Sequence, residues 1–99
     1  MEKFVYLNEL YDLYGELLTE KQKKYFEDYY FNNLSYGEIS TKYGISRNAI
    51  FHQLQLIEKK LNNYEDKLKI ISRDDKLRKL ASKIEDKDLK EKIMNILDE

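Results

Sequence analysis

The stretch that decides the fold is Ser35-Tyr36-Gly37-Glu38-Ile39-Ser40-Thr41-Lys42-Tyr43-Gly44-Ile45-Ser46-Arg47-Asn48-Ala49-Ile50-Phe51-His52-Gln53-Leu54-Gln55-Leu56-Ile57-Glu58-Lys59-Lys60-Leu61. Ser35 and Glu38 stand three residues apart, the spacing at which each side chain can satisfy the other's backbone N–H at a helix start. This predicts a short helix over 36–43, with Ile39 and Tyr43 turned inward. Gly44 follows, and glycine takes positive φ without a Cβ clash. Ser46 then caps a second helix. Two helices that cross steeply through a tight turn form a helix-turn-helix. The crossing needs a small residue on the inner face of the first helix, which Ser40 provides. Ile39, Ile45 and Ile50 fill the wedge. Arg47 and Asn48 fall on the first turn of the second helix, the turn that enters the major groove in this fold. An ordinary helical hairpin with a glycine turn is the competing reading.

Upstream, Phe4, Leu7, Tyr11, Tyr14 and Leu18 recur at steps of three and four, with Leu10, Leu13 and Leu17 widening the face. They predict a helix over 2–14, stopped by Gly15. Thr19-Glu20-Lys21-Gln22 is a second capping-box pattern, opening a helix that carries Tyr25, Phe26, Tyr29 and Tyr30 and fades near Asn32-Asn33. Downstream, Ile50, Leu54, Ile57, Leu61, Tyr64, Leu68 and Ile71 keep heptad spacing. The helix begun at Ser46 is therefore expected to run past residue 65. Its seam either packs on the first two helices or pairs with a second copy, and the former reading is preferred for its first half. Ser72-Arg73-Asp74-Asp75 reads as a break. Beyond it, Leu77, Leu80, Ala81 and Ile84, and then Leu89, Ile93, Met94, Ile96 and Leu97, predict two short amphipathic helices. The expected organisation is an all-α bundle: a helix-turn-helix domain over 1–71, a long recognition and dimerisation helix, and a charged helical tail over 72–99.

Composition narrows the function. The 99 residues contain no cysteine and no proline, so disulfides, thiolate nucleophiles and Cys-ligated zinc are excluded. The charged fraction of 37% and the short apolar runs argue against a membrane span. The start, Met1-Glu2-Lys3-Phe4, does not read as a signal peptide. A bacterial cytoplasm is the expected compartment. Net charge is −1. Residues 1–33 carry four bases and seven acids, residues 34–62 four bases and two acids, and residues 63–99 ten of each. Only the middle third, which holds the helix-turn-helix, is locally basic. Glu85, Asp86 and Asp88, like Asp74 and Asp75, interleave with lysine and arginine and read as a solvated face. His52, the single histidine, has no second His or Cys with which to form a metal site. No nucleophilic triad or phosphate loop is present, so no catalytic residue, cofactor, metal or small-molecule substrate is expected.

Leu18-Thr19-Glu20-Lys21-Gln22, Tyr29-Tyr30, Leu34 to Ser40 and Tyr43-Gly44-Ile45-Ser46 resemble the promoter-recognising fourth region of bacterial sigma factors. The closer resemblance is to the YlxM family of small helix-turn-helix proteins. It runs from the N-terminal Tyr/Leu-rich helix, through Ser46-Arg47-Asn48-Ala49-Ile50-Phe51, to Tyr64-Glu65-Asp66-Lys67-Leu68, about residues 4–71. The resemblance implies a sigma-like helix-turn-helix. It also implies a link to the signal recognition particle, beside whose genes the family's genes lie. The chain departs from sigma factors at Phe51, Gln53 and Leu56, where a sigma recognition helix tends to place bases.

The residues expected at a DNA interface are Lys42, Ser46, Arg47, Asn48, Phe51, His52, Gln53 and Lys59. Arg47 suits guanine, and Asn48 or Gln53 suits adenine. With Lys42, Arg47, Lys59 and Lys60 as the main cations, one copy binds weakly, because phosphate contacts dominate affinity. A homodimer, paired through part of the long helix or through the N-terminal helix, is expected and would double the contacts. His52 reads as a surface histidine before a base contact. The tyrosines read as core before base-stacking platforms. Phe51 divides evenly between partner contact and local packing. Three functions follow: a DNA-binding regulator reading duplex with helix 46–62, an accessory factor that binds signal recognition particle protein or RNA, and a sigma-like fragment docking on RNA polymerase.

Overall fold

The computed structural model describes residues 2–99, and within them every regular element is helical. Helix α1 spans Glu2–Tyr14, followed by a 3-10 turn over Gly15–Leu17. Helix α2 spans Glu20–Phe26 and continues as a π turn over Glu27–Phe31. Helix α3 is Tyr36–Tyr43, α4 is Arg47–Leu68, α5 is Ile70–Ala81 and α6 is Lys87–Leu97. The chain forms two compact units that divide between Asp66 and Lys67.

In the first unit the capping boxes form as the spacing requires. The Gln22 N–H donates to Thr19 Oγ1 at 3.1 Å, and the Thr19 N–H donates to Gln22 Oε1 at 3.1 Å. Ser35 and Glu38 repeat the arrangement at 3.1 and 3.0 Å. The core gathers Leu7, Leu10 and Tyr14 from α1, Tyr25 and Phe26 from α2, Ile39 from α3, and Ile50, Leu54, Ile57 and Leu61 from α4. The first half of the heptad seam is thus buried within the chain. An aromatic layer joins α1 to the α2 region: Tyr11 stacks on Phe26 at 4.3 Å, and Phe31 meets both rings edge-on. The Tyr14 hydroxyl donates to buried Glu65 at 2.7 Å, tying α1 to the far part of α4.

Several expectations are corrected. Leu13 and Leu17 face solvent, because the core-facing stripe of α1 is Leu7, Leu10 and Tyr14. Gly15 ends α1 without positive φ; it is buried, and a Cβ there would come within 3.1–3.3 Å of the Tyr11 ring. The long helix stops at Leu68, where Lys69 takes φ 55°, so Ile71 does not continue its seam. Ser72 to Asp75 lie inside α5. Polar residues alone do not end a helix; the first turn of α5 holds no acid, so the dipole that favours acids there plays no part.

In the second unit α5 and α6 form an antiparallel hairpin. Asp86 caps α6, accepting from the backbone N–H of Asp88 at 3.0 Å and of Leu89 at 3.2 Å. Arg78 reaches the end of α6, donating to Asp98 Oδ1 at 2.7 Å and to the Leu97 carbonyl at 3.4 Å. Cations beside a helix C-terminus are favourable for the same dipole reason.

Candidate nucleic-acid interface

The corner between α3 and α4 is made by backbone geometry. Gly44 has φ 68° and ψ 33°, and its N–H donates to the Ser40 carbonyl at 2.9 Å. The Ile45 N–H shares that carbonyl at 3.2 Å. The Ser40 hydroxyl donates to the Ile45 carbonyl, closing the turn from inside. Ser46 Oγ then accepts from the Ala49 N–H at 3.0 Å and starts α4. Ile39 and Ile50 are buried in the wedge and Ile45 is half-buried. A steep corner thus leaves Ser46, Arg47 and Asn48 exposed at the leading end of α4.

Asp28 locks this corner to α2, and nothing in the local sequence marks it. Its buried carboxylate accepts from Lys42 Nζ at 3.0 and 3.1 Å, from the Tyr43 hydroxyl at 2.5 Å and from Asn32 Nδ2 at 3.0 Å. Burial alone would raise its pKa. The hydrogen bonds from Tyr43, Asn32 and Lys42 outweigh that and hold it below the usual carboxylate value. Lys42 is held above its usual value, chiefly by its hydrogen bond to Asp28. The Lys42 side chain therefore joins the α2–α3 bracket while remaining half exposed.

Arg47 is exposed, yet its guanidinium lies back over α3: a Cβ on Gly37 would stand 3.0 Å from Nη2 and 3.1 Å from Nε. Glycine at position 37 makes this close approach possible. Arg47 and Lys42 share a shallow hollow of about 600 Å³ with Glu38, whose pKa is lowered by its hydrogen bonds with the Ser35 backbone and hydroxyl.

The outer face of α4 exposes Arg47, Asn48, Phe51, His52, Gln55, Leu56, Lys59 and Asn63. Glu58 is the one acid between Arg47 and Asn63; it is half-buried and paired with Lys3 at 2.9 Å. An amide-rich, weakly cationic strip about 25 Å long results, at 1.5 Å per residue. Gln53 is half-buried beside it. Gln55 and Asn63 extend the strip beyond the residues anticipated from sequence; their phase on α4 shows only once the buried line is known. Lys60 is half-buried and donates to Gln22 Oε1 at 3.2 Å.

Phe51 takes part in local packing and remains exposed. Its ring meets Tyr36 edge-on at 5.8 Å, Tyr36 stacks on Tyr29 at 5.0 Å, and Tyr29 and Tyr30 lead on to Phe4. These rings line a groove of about 360 Å³ with Glu58 and Lys3 at its edge. Burial raises the Tyr30 hydroxyl to about 12. Among the described residues no cluster of acids and histidine could hold a metal ion, and no helix is long and apolar enough to cross a membrane.

The family described as "Putative helix-turn-helix protein, YlxM / p13 like" matches residues 1–99. Named relatives agree. A UPF0122 protein of Caldanaerobacter subterraneus subsp. tengcongensis is 40% identical over 86% of this chain and 73% of its own length. One from Halalkalibacterium halodurans is 33% identical over 99% of this chain and 94% of its own. One from Thermoanaerobacter sp. is 36% identical over 99% and 90%. With its Gly44 corner and capped helix pair in place, the chain belongs to the YlxM/p13-like family of helix-turn-helix proteins.

Proposed function

We propose that this chain is a DNA-binding regulatory protein that reads duplex DNA with residues 46–62, acting in a bacterial cytoplasm. One observation carries the reading. Directly after the corner, α4 from Arg47 to Asn63 carries a single acid, the half-buried Glu58, in a chain holding 19 acids and 18 bases. A nucleic-acid backbone repels carboxylates and is held by cations and amides. Arg47 and Asn48 lead this face, and His52, Gln55, Lys59 and Asn63 follow on successive turns. Ser46 stays occupied as the helix cap. Arg47 must leave Gly37 to reach a base edge, a move that its flexible stem allows.

The test is a fluorescence titration of labelled duplex fragments across salt. About three phosphate contacts per copy give a slope near −3 in log K against log salt. Arg47→Ala abolishes most of the binding. Absent or salt-insensitive binding at micromolar protein refutes the proposal.

The aromatic run from Phe51 to Phe4, exposed at its two ends and half-buried between them, favours a second reading, an accessory factor on the signal recognition particle's protein or RNA. Duplex recognition has no use for that groove, whereas aromatic anchors are common at protein and single-strand RNA contacts. Recovery of the particle's protein or RNA in a pull-down that survives DNase supports this reading over the first.

A further inference from the structure

We infer that the groove between α1, the π turn and α4 receives an arginine side chain of a partner protein, with Glu58 as the carboxylate that holds its guanidinium. This role narrows the second reading above to a protein contact and rests on it only in using the same groove; it holds equally for a partner outside the signal recognition particle. Five rings form one side of the groove. Phe4 and Tyr30 lie 5.9 Å apart, Tyr29 meets Tyr30 edge-on at 4.9 Å and stacks on Tyr36 at 5.0 Å, and Phe51 meets Tyr36 edge-on at 5.8 Å. The hollow they line measures about 360 Å³, within the range of small-ligand sites, so one long side chain enters whole.

The groove already seats a cation from its own chain. Lys3 Nζ lies 2.9 Å from Glu58 Oε1. The two members of this pair differ: the Lys3 side chain is 72% exposed, that of Glu58 only 27%. Lys3 is therefore an ammonium at the rim, set on a carboxylate that the groove shields. An ion pair with so exposed a member contributes little, so a second cation readily takes the place of Lys3. The carboxylate stays where it is, and its charge is felt along the rings. The Tyr30 hydroxyl is pushed up by burial and then by Glu58, and that of Tyr36 by its hydrogen bond with Tyr29, by burial, by the charge of Tyr29 and by Glu58.

Chemistry selects the occupant. Lys3 is the one cation lining the groove among the described residues, and Glu58 engages it. A nucleic acid needs free cations along its backbone, single strands included, and finds none here. An acidic segment meets Glu58 head-on, and a purely apolar one buries that charge without a partner. A lysine repeats what Lys3 does and leaves the rings unused. Arginine supplies both a fork for the carboxylate and a plane that stacks on aromatic faces. An adjoining hollow of about 460 Å³ runs past Tyr29 and Tyr30 to Glu38, but Glu38 also borders the hollow of Arg47 and Lys42. Glu58 is thus the acid that belongs to this groove.

Aromatic-ring NMR of the full chain, titrated with N-acetylarginine amide at constant ionic strength, tests it. The Tyr36 and Phe51 ring signals shift saturably. The citrulline analogue keeps the shape and loses the charge, and it binds about tenfold more weakly. Glu58→Gln lowers the affinity for the arginine probe about tenfold, with helicity by circular dichroism unchanged. Lys3→Gln removes the internal competitor and tightens binding severalfold. Glu91→Gln, an exposed acid of α6, leaves it unchanged. Equal binding of the arginine and citrulline probes overturns the inference, as does binding indifferent to both Glu58→Gln and Lys3→Gln, or no ring shift at any concentration. A single-stranded RNA oligonucleotide that moves the same rings and resists displacement by the arginine probe makes the groove a nucleic-acid site and overturns it too. The pull-down of the particle succeeds or fails separately from the probe, so the two ideas fall independently.

Discussion

Replacing Gly44 with alanine isolates the backbone contribution of the corner. At φ 68° an L-residue pays the left-handed penalty of roughly 1–2 kcal/mol. Nothing lies within 4 Å of the position a Cβ would take, so no packing term is added. Alanine also restricts the unfolded chain, which returns about 0.4–1 kcal/mol. The net loss is about 1 kcal/mol. For a chain of this size that lowers Tm by roughly 4–8 °C. Gly44→Asn loses less, because asparagine tolerates the left-handed region. Gly44→Val loses more than alanine, because β-branching resists positive φ. Thermal unfolding followed by circular dichroism, with urea titration as the second measure, ranks the three. An asparagine variant no better than alanine, or an alanine variant as stable as the parent, would refute the claim that φ alone demands glycine there.

Gly37→Ala has the opposite sign: its φ is not positive, alanine favours a helix by roughly 0.5–1 kcal/mol, and the atom it displaces is the flexible tip of Arg47. Melting should show a small gain in stability, and duplex titration should show altered affinity as Arg47 is moved. Tyr14→Phe removes one charge-assisted hydrogen bond to buried Glu65 and costs about 1–3 kcal/mol by urea titration. At the acid limit, the Asp28 pKa is lowered by folding, so its contribution is full above the ordinary value of 3.8 and is lost as pH falls below it. Asp28→Asn should flatten the acid limb of a stability–pH curve. At the alkaline limit, the Tyr30 pKa is raised from 10.0 to about 12, so its contribution is full below pH 10 and disappears as pH climbs toward 12. Tyr30→Phe should shift alkaline unfolding upward.

The parts of this molecule that were legible in the sequence are those whose causes lie within a few residues. The capping boxes at Thr19 and Ser35 each close over three positions, and the Gly44 corner needs only its own φ and the Ser40 hydroxyl. Heptad spacing located the buried line of α4 but could not locate its end. Leu68 and Ile71 keep the period, while the chain turns between them at Lys69, a residue with no glycine-like signature. The Asp28 bracket was illegible for another reason: Lys42 and Tyr43 lie 14 and 15 residues away, and no short pattern joins them.

The same division runs through the candidate interface. That Arg47 stands on the leading turn follows from Ser46, but that it rests on Gly37 is a tertiary fact. An arginine folded back on its own scaffold is a guanidinium lying over Gly37, in a hollow that Glu38 also lines. A phosphate or guanine must therefore compete with that arrangement as well as with water. Gly37→Ala tests this competition from the scaffold side. If crowding position 37 tightens duplex binding, Arg47 is held in reserve by α3. If binding falls instead, the resting place at Gly37 orients the side chain for its contact.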